Sequence, residues 1–161
     1  GLSDIKIAAS DESYIDRATD NWKKTRHKIK DLVYRLNVHG YQGMDSRRDL
    51  FHDLAKQDGK KLWLSEYGDC GSWGNPMGCS GNYEKSNGMF MVEMMNADFV
   101  SLQMTAWLYW QPMDAHEDWG FIRFSYDAEH NLGNKEHWEV KNKYYLHAQF
   151  SRHIRPNMKI V

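Results

Sequence analysis

Six side chains stand where a chain of alternating strands and helices would do chemistry. Glu66 closes the run Lys61-Leu62-Trp63-Leu64-Ser65-Glu66, an apolar strand that ends on a carboxylate. Asn37, His39 and Tyr41 fall at alternate positions through the end of an earlier strand, and Trp110 and Gln111 end a later one. In parallel α/β folds ligands bind at the carboxyl ends of the strands. A carboxylate in the company of a histidine, a tyrosine and indoles suits a nucleophile beneath a sugar ring. The indole stacks on the C–H face, the polar groups hold the hydroxyls, and the carboxylate attacks the anomeric carbon. Taken singly, Glu66 reads as an ion-pair partner and His39 as a structural histidine; their grouping is what points to a site. No Ser or Cys nucleophile motif stands beside His39, and the 8 histidines show no metal-ligand spacing, so neither a metal nor another cofactor is expected.

The composition fits a sugar-binding surface. Seven Trp, nine Tyr and six Phe occur in a chain whose mean hydropathy is -0.79, too many aromatics for a core alone. With 161 residues, 41% of them hydrophobic, the chain is long and apolar enough for one compact unit. Its 21 Lys and Arg against 22 Asp and Glu leave a charge of -1, which provides no field for nucleic acid or an anionic membrane. No apolar stretch reaches the length of a membrane span, and Gly1-Leu2-Ser3-Asp4 lacks the order of a signal peptide, so any secretion signal is expected upstream or removed.

The elements that must position these residues alternate. Strands are expected at Ile5 to Ser10, Leu32 to Val38, Lys61 to Glu66 and Thr105 to Trp110. Helices are expected at Asp16 to Lys30, from Ser46 (as N-cap) to Gly59, at Ser86 to Asp98 and at Trp138 to Ile154. Ala18, Trp22 and Ile29 carry the buried side of the first helix, and its basic run from Trp22 to Lys30 reads as a solvated face. Met89, Met91, Met94 and Met95 read as core filling. Strand parity puts Asn37, His39 and Tyr41 on one face, and groups Leu62, Leu64 and Glu66, and Ala106, Leu108 and Trp110. Arg35 would then point inward, which calls for a bulge or an outward rotation. Between Tyr67 and Glu84 a loop holds Gly68, Gly71, Gly74, Gly78 and Gly81, together with Cys70 and Cys79. Those cysteines suit a disulfide if the protein is exported and two free thiols otherwise. Four strand-helix units predict a parallel sheet with crossover helices: either an open four-stranded sheet or half of a (β/α)8 barrel, which needs ~200 residues or more.

Four blocks decide between these. Leu36-Asn37-Val38-His39-Gly40-Tyr41, Lys61-Leu62-Trp63-Leu64-Ser65-Glu66-Tyr67-Gly68, Ala106-Trp107-Leu108-Tyr109-Trp110-Gln111 and Gln149-Phe150-Ser151-Arg152-His153-Ile154-Arg155-Pro156 occur in the order found in glycoside hydrolase family thirty. Over nearly its whole length the chain resembles that family's endo-β-1,6-galactanases, with glucosylceramidases as more distant relatives. The resemblance implies a (β/α)8 TIM-barrel fragment of about strands five to eight with their helices. Residues 1–156 would form the C-terminal half of the barrel, and 157–161 the start of a connection to a β-sandwich. It implies a secreted, retaining endo-glycosidase acting on β-1,6-galactan. Glu66 would be the nucleophile on the seventh barrel strand, His39 and Tyr41 would line the sugar site from the sixth, and Trp110 would stack on the sugar from the eighth. In that family the acid/base Glu ends the fourth strand, which falls before Gly1. Asp11 and Glu12 occur in similar relatives too and are poor substitutes for it. The chain alone is therefore expected to be weak or inactive, with open sheet edges that a missing N-terminal half-barrel or self-association would cover. The alternatives are a β-glucosidase, glucosylceramidase-like or β-1,6-glucanase activity. A noncatalytic carbohydrate-binding module with a platform of Trp63, Trp73, Trp107, Trp110 and Trp119 is a further one. A nucleotide-binding domain lacks its Gly-rich phosphate loop.

Overall fold

The computed structural model describes residues 4–68, 88–114, 119–124 and 138–160. The chain divides into two compact units, Gly1–Tyr67 with Met94–Leu108, and Gly68–Glu93 with Tyr109–Val161.

The first unit is built on strands β1 (Ile7–Glu12), β2 (Val33–His39), β3 (Lys61–Tyr67) and β4 (Ala106–Tyr109), in the sheet order β1-β2-β3-β4. β2 runs parallel to both β1 and β3. Sequential parallel order is what helix crossovers impose, and it is the arrangement of consecutive units of a β/α barrel. Helix α1 (Ile15–Ile29) packs on β1 and β2, and α2 (Arg48–Gln57) on β3. Ile15, Ala18 and Trp22 of α1, Phe51 and Ala55 of α2, and Leu36, Val38, Leu62 and Leu64 of the strands are all buried. Each large apolar side chain so buried contributes ~1.5–3 kcal/mol. Ile29 is only partly covered, and Lys23, Lys24 and Lys28 lie in solvent, as a solvated basic face requires. α1 is tied to the end of α2 through Asp58, which accepts from Trp22 Nε1 at 2.8 Å and Arg26 Nη2 at 2.6 Å. Gly59 then ends the helical run at φ 65°, the left-handed position that favours glycine.

Ser46 does not cap α2. Its hydroxyl donates to the Gly43 carbonyl and accepts from Arg48, so its oxygen is occupied; Arg47 stands at the N-cap. Arg48 instead turns inward. Its Nε meets Asp98 Oδ1 at 2.7 Å, and both side chains are almost fully buried. Asp98 opens a π-helical turn (Asp98–Leu102) that follows α3 (Met89–Ala97), and its Oδ2 accepts from Trp107 Nε1 at 2.9 Å. Burial pushes the Asp98 carboxyl above the usual range, against Arg48 and Trp107, which pull it down. Met91, Met94 and Met95 are core, while Met89 is exposed.

In the second unit β5 (Met113–Asp114) pairs parallel with β6 (Ile122–Phe124), and β6 antiparallel with β7 (Trp138–Val140). Helix α4 (Asn142–His153) follows. Two expectations are corrected here: Trp138 to Val140 is strand rather than helix, and a small sheet separates β4 from the last helix. Strands of two and three residues are too short to leave an alternation in the sequence. Phe121 stacks on Tyr109 with centroids 3.9 Å apart and lies near His147, whose imidazole burial holds below its usual pKa.

Candidate active site

Two register irregularities build the site, one on each side of β2. Along β1 and β2, Ser10 pairs with Asn37 and Glu12 with Val38, so Asp11 is skipped. Asp11 takes φ 62°, a left-handed conformation that aspartate tolerates better than most residues. Along β2 and β3, Val38 pairs with Leu64 but His39 with Glu66, so Ser65 is skipped. An extra residue of this kind reverses the alternation beyond it. Leu62 and Leu64 face the helices, and Glu66 faces the other way, toward His39. The parity that grouped Glu66 with Leu62 and Leu64 is thereby overturned.

Arg35, Asn37, His39 and Trp63 share the sheet face opposite the helices. Arg35 is not rotated outward. Its guanidinium lies 3.5 Å from the centroid of the Trp63 ring, and the irregularity on the β1 side falls at the neighbouring Tyr34. Asn37 sits on this face with its Oδ1 buried and unbonded among the described residues.

Glu66 Oε1 accepts a hydrogen bond from the Tyr41 hydroxyl at 2.8 Å and lies 3.6 Å from His39 Nδ1. Both contacts fall on one oxygen; Oε2 takes no hydrogen bond among the described residues. Burial first, and then the Glu66 carboxylate, push the Tyr41 phenol well above its ordinary pKa, so it stays a donor. Tyr41 is in turn held in place: its ring packs edge-on against His39 and stacks over Tyr67, which is fully buried against Trp107. On the far side of His39, Nε2 lies 3.5 Å from Asp11 Oδ1, and the Ser65 hydroxyl donates to the same oxygen at 2.5 Å. Glu12 is turned away and accepts from Asn21 of α1. Of the residues expected from the sequence, the structure thus brings together Glu66, His39 and Tyr41, with Asn37 on the same face. Sequence reasoning weighed Asp11 only as an acid and passed over Ser65.

Trp110 and Gln111 belong to the second unit. Trp110 is 47% exposed, and the Gln111 carbonyl accepts from the Phe121 amide at 3.2 Å. Gly68 passes so close to the Trp110 carbonyl and the Trp119 ring that a Cβ would collide with both. Cys70 and Cys79 lie outside the described residues. Among the described residues no group of three or more His, Cys, Asp or Glu is arranged to hold a metal ion.

The model of glycosyl hydrolase family 59 matches residues 1–155. The chain belongs to glycosyl hydrolase family 59. This family 59 chain is 37% identical over 164 residues to an endo-β-1,6-galactanase of Hypocrea rufa, an alignment covering all of the chain and 29% of that protein. It is 28% identical over 140 residues to an exo-β-1,6-galactobiohydrolase of Bifidobacterium longum, covering 78% of the chain and 9% of that protein. The chain thus spans less than a third of the length of either relative. Among solved structures it shares its fold with a GH30 endoxylanase of Clostridium papyrosolvens (TM-score 0.55, 18% identity, 95% of this chain and 33% of that one). It does so too with a conserved exported protein of Bacteroides fragilis (TM-score 0.57, 19% identity, 84% and 32%). The galactanase likeness carried by the four sequence blocks is upheld by these relatives, and the GH30 neighbour upholds the α/β fold expected with it. The matching model is itself that of family 59.

Proposed function

We propose that the protein containing this chain is a retaining endo-glycosidase that cleaves β-1,6-linked galactan, with Glu66 as its nucleophile. The observation that carries the reading is the aim of Glu66. A bulge turns it off the helix side and under a tyrosine hydroxyl and a histidine, leaving Oε2 for attack. The galactanase relatives favour the substrate. In the first step Glu66 Oε2 forms a bond to the anomeric carbon as the bond to the leaving oxygen breaks, and that oxygen takes a proton from an acid. In the second, water gives its proton to the same group, now a base, and attacks the anomeric carbon; the glycosyl–Glu66 bond breaks and the carboxylate is restored. Asn37, His39 and Tyr41 would bind the sugar through its hydroxyls.

The acid comes from sequence beyond these 161 residues in this reading. Glu12 is engaged by Asn21, and the His39 ring stands between Asp11 and Glu66, where a paired acid needs open space for the glycosidic oxygen. Residues 1–156 would be the C-terminal half of a barrel and 157–161 the start of a connection to a β-sandwich. The other half-barrel would cover β1, whose Ile7 is 51% exposed. Export would bring the enzyme to its polysaccharide, in keeping with the exported Bacteroides protein that shares its fold.

The test is Glu66→Ala in the full-length enzyme, assayed on an activated aryl β-galactobioside with azide. Turnover without azide should fall to background, and azide should restore it as an α-galactobiosyl azide, because the anion attacks from the face the carboxylate has vacated. Normal turnover by Glu66→Ala, or no azide product, refutes the assignment.

A further inference from the structure

Asp11 belongs to no step above, yet the chain holds it in place. It is the residue skipped in β1, its backbone is left-handed, and its carboxylate reaches across the end of β2 to two partners. One is the Ser65 hydroxyl, on the residue skipped in β3 immediately before Glu66; the other is His39 Nε2, whose ring presents Nδ1 to Glu66. The two bulged residues therefore bond to each other over the strand between them. Ser65 is also held from below, its Oγ lying 3.3 Å from the Val38 carbonyl.

We infer that Asp11 is a positioning residue for Glu66, acting through the Ser65 bulge and through His39, and not a proton donor. This rests on Glu66 being the nucleophile. The bulge decides toward which face Glu66 points, and His39 lies beside its Oε1; Asp11 fastens both. Its geometry does not suit an acid, because its Oδ1 is engaged by Ser65 and the imidazole separates it from the reacting carboxylate. A nucleophile left free by a fraction of an ångström reaches the in-line geometry less often, and a misplacement of about 1 Å can cost ~10²-fold in rate. Binding is not affected in the same way, since Asp11 need not touch the sugar.

The experiment compares Asp11→Ala, Asp11→Asn, His39→Gln and the Asp11→Asn/His39→Gln double variant in the full-length enzyme, on β-1,6-galactan and on the activated aryl β-galactobioside. Asp11→Ala should lower kcat about 10- to 100-fold on both substrates alike, with KM within about threefold. Asp11→Asn keeps an acceptor for Ser65 and should recover part of the loss, which also covers the case in which the alanine variant folds poorly. The double variant should be no slower than His39→Gln alone, because the two act in one chain of contacts. The inference is overturned if only galactan cleavage suffers while the aryl galactobioside reacts normally, which is the signature of a lost acid. It is equally overturned if the losses from Asp11→Asn and His39→Gln multiply, or if kcat is unchanged. Failure of the nucleophile assignment would show separately, in the azide product of Glu66→Ala.

Discussion

Replacing Tyr41 by Phe removes the hydrogen bond of 2.8 Å to Glu66 Oε1. A hydrogen bond to a charged group is worth ~1.5–3 kcal/mol. Through a double displacement the charge on Glu66 disappears as the sugar is attached and returns as it leaves. With about half of that charge present in each transition state, Tyr41 stabilises the departing carboxylate by about 0.8–1.5 kcal/mol relative to the neutral ester, a factor of about 4–13 at 1.36 kcal/mol per decade. The second step is therefore slowed by that factor. The first loses the ground-state stabilisation of the carboxylate as well as part of its positioning, two opposed changes that nearly cancel. Pre-steady-state kinetics of the full-length enzyme on an activated aryl β-galactobioside should show a burst of aryl alcohol. They should also show kcat and KM falling together and kcat/KM held within about threefold. Equal losses in kcat and kcat/KM with no burst would mean that Tyr41 works before the intermediate forms, and the reasoning would fail.

Further outcomes follow from the pairs that hold the site's supports. Arg48→Met strands the buried Asp98 carboxylate and should cost ~3–5 kcal/mol in urea melts. Because the folded-state pKa of Asp98 is raised, the loss should shrink as pH falls toward the ordinary aspartate range, where the carboxyl protonates. Asp16 behaves oppositely. Burial works against its charge, but the Arg47 amide, Gln42 and the Arg47 guanidinium outweigh it and lower its pKa. Its contribution is present above the unfolded aspartate value and disappears as pH falls through the depressed one. Thermal melts of Asp16→Asn should accordingly be lower at neutral pH and flatter across the acid window.

Much of the first unit was legible because its strands are long and apolar and end on polar residues. β2 and β3 lie within a residue of where their β-branched and aromatic runs place them, and Glu66, His39 and Tyr41 follow from position at a strand end. The direction of Glu66 was not legible. Parity counting assumes an unbroken pleat, and a bulge at Ser65 costs no unusual residue and leaves no mark in Leu-Trp-Leu-Ser-Glu. Asp11 left a fainter trace: a short acidic residue at the end of an apolar strand is one of the few types that accept a left-handed backbone. Ser46 misled because its oxygen was claimed by Arg48, a partner that only the buried Asp98, fifty residues on, explains.

The extra residue in β3 makes the aim of Glu66 a matter of counting more than of chemistry. Exchanging Ser65 for another small polar residue keeps the count and leaves Glu66 facing His39. Inserting one further residue between Ser65 and Glu66, taken up in the pleat, swings Glu66 in among Leu64 and the helices, and brings the Tyr67 ring round to the open face. Such a chain would keep every residue of the site, and its composition, charge and apolar core would be almost unaltered, yet it would present a phenol where a carboxylate should attack. Selection on this strand therefore acts on its length before its letters.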